Sequence, residues 1–146
     1  MATVNRPKKV ILHCSASPNY KQLTVEQIDK MHRARGWSQV GYHWIVYPNG
    51  ELMPGRAERV VGAHTKGKNT HSLGICLIGT DRFTEEQVEG LIELYDDFYK
   101  RYDIDYDAWW GHYQFANKIC PGIDMNFVRK ILEQRSLMRG AVNALS

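Results

Sequence analysis

Two histidines and a cysteine of this sequence stand where their side chains could bind a metal ion. His13 and His112 each lie where a predicted strand runs into a loop, and Cys120 follows eight residues after His112. Neutral imidazole and thiolate are good zinc ligands, and three protein ligands leave a fourth position for water. The spacing alone leaves a second interpretation open, in which His13 is a hydrogen-bonded core histidine and Cys120 is a small buried residue beside a turn.

Three further side chains could act on a substrate held near these ligands. Lys118 lies two residues before Cys120, where an ammonium group could stabilise an oxyanion. Tyr42 lies at the entrance of a predicted strand, where a phenol could orient water or transfer a proton. His64 lies in a glycine-containing loop and could bind substrate. Each residue also has an ordinary structural interpretation, as a solvated lysine, a tyrosine at the rim of the core and a loop histidine.

The elements that must position these residues alternate between strands and helices. Apolar and β-branched runs predict strands over residues 9–15, 43–47, 51–53, 73–78 and 108–112. Capping boxes at residues 24–27 and 84–87 predict the starts of two helices, and Asp124 can cap a last one. This alternation predicts a single α/β domain with a central mixed β-sheet flanked by helices.

The length and charge of the chain limit its organisation. With 146 residues it suits one domain, which we divide into an arm (1–8), a main domain (9–135) and a C-terminal tail (136–146) of weak helical character. The net charge of +3 could favour an anionic partner, but the basic residues are dispersed, which favours a solvated surface. The first apolar run is too short for a signal sequence, so we expect synthesis in a reducing cytoplasm.

Four stretches carry the candidate residues in a fixed order along the chain. They are residues 10–16 with His13, residues 35–44 with Tyr42, residues 62–79 with His64 and Asn69, and residues 111–122 with His112, Lys118 and Cys120. Together these stretches resemble the zinc-dependent N-acetylmuramoyl-L-alanine amidases, which share their fold with the peptidoglycan recognition proteins. The resemblance is strongest to the small amidase-type endolysins of T-odd coliphages.

The resemblance implies a set of roles for the candidate residues. One zinc ion per chain would be bound by His13, His112 and Cys120. Tyr42 and Lys118 would be the catalytic pair. The reaction would be hydrolysis of the amide bond between N-acetylmuramic acid and L-alanine.

The resemblance also implies a substrate and a place of action. His64 and Asn69 would line a groove that binds peptidoglycan, and residues 9–135 would be the catalytic domain. As a phage endolysin for host lysis, the enzyme would be made in the host cytoplasm. It would reach the cell wall in the periplasm after a separate protein has permeabilised the membrane. We expect a monomer that binds no nucleic acid and does not insert into membranes.

Three other functions stay open at this point. The first is a non-catalytic peptidoglycan-binding module of the same fold, although such relatives typically lack the cysteine ligand that Cys120 provides. The second is a glycosidase, which needs two carboxylates roughly 5–10 Å apart; Glu51 and Glu58 are the candidates, but no pattern pairs them. The third is an additional role as a regulator that binds a protein partner such as a phage RNA polymerase.

Overall fold

Five strands form one mixed sheet in the computed structural model, which describes residues 4–145. The sheet order is β3-β2-β4-β1-β5, and all neighbours are parallel except the β2–β3 hairpin. This architecture confirms the predicted α/β class with a central mixed sheet. The strands are β1 (Lys9–Cys14), β2 (Trp44–Val46), β3 (Leu52–Pro54), β4 (Ser72–Leu77) and β5 (Trp109–Gly111).

Three α-helices cover the sheet: α1 (Val25–Ala34), α2 (Glu85–Tyr102) and α3 (Met125–Leu145). Both predicted capping boxes form. In each, the threonine hydroxyl accepts a hydrogen bond from the backbone N–H of the glutamine three residues later, and the glutamine side chain accepts one from the backbone N–H of the threonine. Asp124 accepts a hydrogen bond from the backbone N–H of Asn126 at the start of α3 (2.9 Å). Within residues 4–145, no helix combines the length and apolar character needed to span a membrane.

Helix α3 continues beyond the point where the sequence predicts a tail. Residues 136–145 belong to this helix, so the prediction of a tail with weak helical character is wrong for the described part of the segment. Arg135 and Arg139 both pair with Asp96 of α2, at 2.8 and 2.6 Å, and the Arg139 guanidinium lies 4.3 Å from the centroid of the Tyr99 ring. These contacts join α3 to α2 through charged side chains, so the spacing of apolar residues in the sequence does not predict them. The division of the chain at residues 8 and 135 stays a prediction; residues 1–3 and 146 lie outside the described part.

The two faces of the sheet pack differently. One face is covered by α2 and α3 and forms a continuous apolar core, in which Phe98 and Trp109 are fully buried. The other face is covered by α1 over part of its area, where Ile28 belongs to the same apolar cluster as Ile45 and Cys76. The rest of this second face carries the polar residues described below.

Asn5, a buried residue of the N-terminal arm, ties this arm to the loop that precedes β4. Its amide donates to the carbonyl oxygens of Glu58 (3.0 Å) and Ser72 (2.9 Å) and accepts from the backbone N–H of His71 (2.8 Å). The backbone N–H of Asn5 donates to the Arg59 carbonyl (2.7 Å). Asn5 therefore fixes both ends of the loop between residues 58 and 72.

Candidate metal centre and active site

The three predicted metal ligands, His13, His112 and Cys120, converge from separate segments. Because β1 and β5 are parallel neighbours, His13 near the end of β1 lies beside His112, which directly follows β5. Their Nδ1 atoms are 3.1 Å apart. The Cys120 Sγ atom accepts a hydrogen bond from the backbone N–H of Cys14 (3.0 Å), and the three candidate ligand atoms lie within 4.8 Å of one another.

This donor set suits zinc. A tetrahedral site with metal–nitrogen bonds of about 2.0–2.1 Å places two ligand nitrogens about 3.3 Å apart, close to the separation between His13 and His112. Their contact joins two Nδ1 atoms, so at least one lone pair must face the shared space. Interaction with the Cys14 thiol and burial raise the pKa of Cys120, whereas a bound divalent cation would favour its thiolate.

Tyr42 lies directly beside the ligand cluster. Its ring centroid is 5.2 Å from that of His13 and 5.4 Å from that of His32. Gly41 allows this placement, because a Cβ there would lie 2.1 Å from the carbonyl oxygen of Ala63. Burial raises the pKa of the Tyr42 phenol well above its usual value. The phenol therefore keeps its proton, and a hydrogen bond with the Cys76 side chain is a smaller cause of the raised pKa.

A groove of about 630 Å³ opens beside His112 and Lys118. Lys118 is exposed at the groove, and its charge, together with the larger effect of burial, lowers the pKa of His112. The predicted catalytic lysine and one predicted metal ligand therefore share a single cavity. The lining residues are Trp37, Ala63, His64, Thr65, Lys66, Asn69, His112, Phe115, Ala116 and Lys118.

The two predicted substrate-binding residues, His64 and Asn69, both line the groove but differ in their contacts. The Asn69 side-chain oxygen accepts from the backbone N–H groups of His64 (2.9 Å) and Thr65 (2.8 Å), so it shapes the loop. The His64 side chain is buried, and its Nδ1 lies 3.0 Å from His13 Nε2. Burial is the main cause that lowers the pKa of His64 to about 3, so this ring is neutral. Substrate binding by either residue stays a prediction.

Sequence reasoning missed two hydroxyl groups beside these histidines. Thr65 Oγ1 lies 3.2 Å from His13 Nε2 and 3.0 Å from His64 Nδ1. Ser72 Oγ lies 3.2 Å from His64 Nε2. The one signal available was a hydroxyl at the first position of an otherwise apolar strand, β4.

Glycine residues make room for the His64 ring against the sheet. A Cβ at Gly74 of β4 would lie 2.6 Å from two atoms of the ring, and a Cβ at Gly62 would lie 2.6 Å from one of them. Both distances are far below van der Waals contact. The ring is therefore enclosed by backbone and cannot turn freely.

The carboxylates considered for a glycosidase do not form a pair. Glu58 accepts hydrogen bonds from Arg101 (2.8 and 3.0 Å) and from the Trp44 indole (2.8 Å), so its oxygens are already bound. Glu51 is exposed at the β2–β3 turn, where its backbone and side chain bond Asn49. Neither lines the groove, and the geometry gives a glycosidase no support.

Comparison with known proteins identifies the family. The family model described as N-acetylmuramoyl-L-alanine amidase matches residues 3–123, so the chain belongs to this family, as its sequence resemblance predicts. Within the family it is similar to the endolysin of Escherichia phage T7, with 33% identity over 124 residues that cover 80% of this chain and 81% of the relative.

Solved structures of known proteins also resemble this fold. The endolysin N-acetylmuramoyl-L-alanine amidase LysCS from Clostridium intestinale URNW superimposes with a TM-score of 0.82 at 28% identity, covering 90% of this chain and 87% of that one. Drosophila PGRP-LB superimposes with a TM-score of 0.74 at 27% identity, covering 84% and 78% of the two chains. The fold is thus common to phage amidases and peptidoglycan recognition proteins.

Proposed function

We propose that this chain is an endolysin that hydrolyses the amide bond between N-acetylmuramic acid and L-alanine, using zinc held by His13, His112 and Cys120. Membership of the amidase family and similarity to phage endolysins support the reaction and its role in host lysis. One observation carries the metal centre: three donor atoms converge within 4.8 Å, although His13 and His112 are 99 residues apart in the chain.

The residues around the ligands have complementary roles in this reaction. When bound, zinc would polarise the scissile carbonyl and lower the pKa of water toward about 7. The Lys118 ammonium lines the groove, where it can face the negative charge that develops on the carbonyl oxygen. One such donor is typically worth about 2.7–4 kcal/mol in the transition state. The protonated Tyr42 phenol can orient the attacking water or supply the proton that the departing amine needs.

The residues that line the groove support a peptidoglycan substrate. Trp37 and Phe115 give the groove apolar surface for sugar-ring and side-chain carbons, and Lys66 and Lys118 place cations at its edge for the carboxylates of a stem peptide. We propose that the enzyme meets this substrate in the cell wall, after release from the cytoplasm where it is made. Four expectations stay predictions: that the protein is a monomer, that it binds a polymerase, that it binds no nucleic acid and that it does not insert into membranes.

Digestion of purified cell walls tests the reaction. We expect new L-alanine amino termini among the products, loss of activity with a chelator and recovery when zinc is added back. New reducing sugar ends would instead identify a glycosidase. Wall binding without any new termini would identify a binding module and contradict the proposal.

Substitution of the ligands tests the metal centre. In His13→Ala, His112→Ala and Cys120→Ala, we expect zinc content well below one ion per chain and wall hydrolysis at background. Cys76→Ala is a matched control, because Cys76 is a buried thiol that pairs with His13 in the sheet register without belonging to the ligand cluster. Full zinc retention in Cys120→Ala would remove Cys120 from the ligand set.

A further inference from the structure

A chain of hydrogen bonds leads from His13 away from the ligand cluster. On its far side, His13 Nε2 contacts both His64 Nδ1 (3.0 Å) and Thr65 Oγ1 (3.2 Å), which are themselves 3.0 Å apart. His64 then uses its other nitrogen, Nε2, to contact Ser72 Oγ (3.2 Å). All four residues are buried.

The far end of this chain sets the direction of its hydrogen bonds. Ser72 Oγ lies 2.8 Å from the Lys68 carbonyl oxygen and 2.9 Å from that of Asn69. Carbonyl oxygens only accept, so the single hydroxyl hydrogen of Ser72 must point toward them. Ser72 Oγ is then left as an acceptor, and His64 Nε2 must carry the hydrogen that it receives.

The direction passes through His64 to His13. A neutral imidazole with its hydrogen on Nε2 has a lone pair on Nδ1, so His64 Nδ1 accepts. The hydrogen that it receives comes from His13 Nε2 directly or through the Thr65 hydroxyl, which can accept from one ring and donate to the other. In either case His13 carries its hydrogen on Nε2, and its Nδ1 lone pair faces His112 Nδ1.

We propose that His64, with Thr65 and Ser72, is a positioning residue that holds His13 in the tautomer protonated on Nε2 and so presents His13 Nδ1 to the metal ion. The inference rests on the proposed metal centre, and it assigns His64 a structural task distinct from the substrate contact that the sequence resemblance implies. Outer partners of this kind fix the orientation of ligand imidazoles, and their loss typically costs 10–100-fold in metal affinity.

Nitrogen-15 NMR of the histidine side chains in the full-length, metal-free chain tests the tautomer directly. We expect His13 to be protonated on Nε2 alone in the wild-type protein and to populate both tautomers in His64→Leu. Protonation of wild-type His13 on Nδ1, or an unchanged His13 tautomer in His64→Leu, would overturn the proposal. This measurement needs neither metal nor activity, so it stays informative even if the proposed amidase mechanism fails.

Zinc affinity gives a second readout. We expect His64→Leu to weaken zinc binding by about 10–100-fold, and His64→Asn to lose less, because its side-chain oxygen keeps an acceptor near the place of Nδ1. His43→Ala is the control for loosening of the same region: His43 is also buried, bonds Val60 and Gly74, and lies 5.9 Å from His64 between ring centroids. Among the described residues it makes no hydrogen bond to His13. Equal losses in His64→Leu and His43→Ala would mean general loosening of the loop and would overturn the proposal.

If His64→Leu does not fold, the zinc affinities of Thr65→Val and Thr65→Ser test the proposal instead. Valine keeps the shape of threonine but removes the hydroxyl, so we expect zinc affinity to fall about fivefold, as for loss of one hydrogen bond. Serine keeps the hydroxyl and should retain wild-type affinity. Equal affinities in these two variants would remove Thr65 from the positioning group and overturn its part of the proposal.

Discussion

On the face of the sheet that packs against α2 and α3, β1 contributes Val10 and Leu12, whereas on the opposite face it contributes His13. The first face is closed by an apolar core. Within the described part of the chain, the second face and the segments over it bury four imidazoles. These belong to His13, His32, His43 and His64.

The difference between the faces separates stability from chemistry. Burial of apolar surface on the α2/α3 face stabilises the fold by about 25 cal/mol per Å². Burial of imidazoles on the other face costs free energy unless their nitrogens have partners. Here both nitrogens of His13, His43 and His64 have a hydrogen-bond partner, and His32 has one at Nδ1. Substitutions on the two faces should therefore affect different measurements.

The largest expected effect on stability comes from the apolar face. Phe98→Ala removes a fully buried ring, and we expect the free energy of unfolding to fall by about 3–5 kcal/mol. Urea unfolding measures this loss, and zinc titration of the folded variant should give wild-type affinity. A parallel loss of zinc affinity would show that the two faces are not independent.

Lys118→Ala should produce the opposite pattern. Loss of one donor to the developing oxyanion is expected to slow wall hydrolysis by about 100–1000-fold, with zinc content unchanged. Because Lys118 is exposed, the free energy of unfolding should change by less than about 0.5 kcal/mol. Lys66→Ala, at a second exposed lysine of the groove, is the control for simple loss of positive charge. Equal losses of turnover in both variants would mean that Lys118 only adds positive charge for substrate binding and does not stabilise the oxyanion.

The smallest effect concerns acid sensitivity of the imidazole-bearing face. Burial is the main cause that lowers the pKa values of His32 and His43 below about 6.5. Below that pH the unfolded chain binds protons that the folded chain excludes, so stability is full above pH 6.5 and falls on acidification. Each histidine contributes up to about 1.4 kcal/mol per pH unit.

Unfolding midpoints between pH 7 and pH 5 measure this slope, and His32→Gln separates its origin. Glutamine cannot titrate in this range, so the variant should lose stability less steeply than the wild-type protein. The same slope in both would show that the acid sensitivity arises elsewhere.

Local patterns of the sequence predicted much of this fold. The threonine–glutamine capping boxes at residues 24–27 and 84–87 form as predicted, because they depend on residues three positions apart. The alternation of strands and helices gave the correct class. The proximity of His112 and Cys120 to His13 was implied by family resemblance, since no local pattern reports which strands become neighbours.

The remainder depends on contacts that no short stretch of sequence encodes. Helix α3 runs to Leu145, and its Arg135 and Arg139 form ion pairs with Asp96, which lies some forty residues earlier. The contact of His64 with His13 spans 51 residues and needs the space that Gly74 leaves on a neighbouring strand. A loop histidine therefore looks the same in the sequence whether it contacts substrate or a ligand imidazole.

Asn5 connects the N-terminal arm of this enzyme to the loop that lies beside the predicted metal ligands. Its side chain bonds backbone groups at both ends of the loop that carries His64 and Thr65. We expect an affinity tag or fusion partner joined close to Asn5 to disturb these hydrogen bonds and, through them, the loop that carries His64 and Thr65. For protein engineering, the part of α3 around Leu137 and Met138, whose side chains are exposed, is the safer point of attachment.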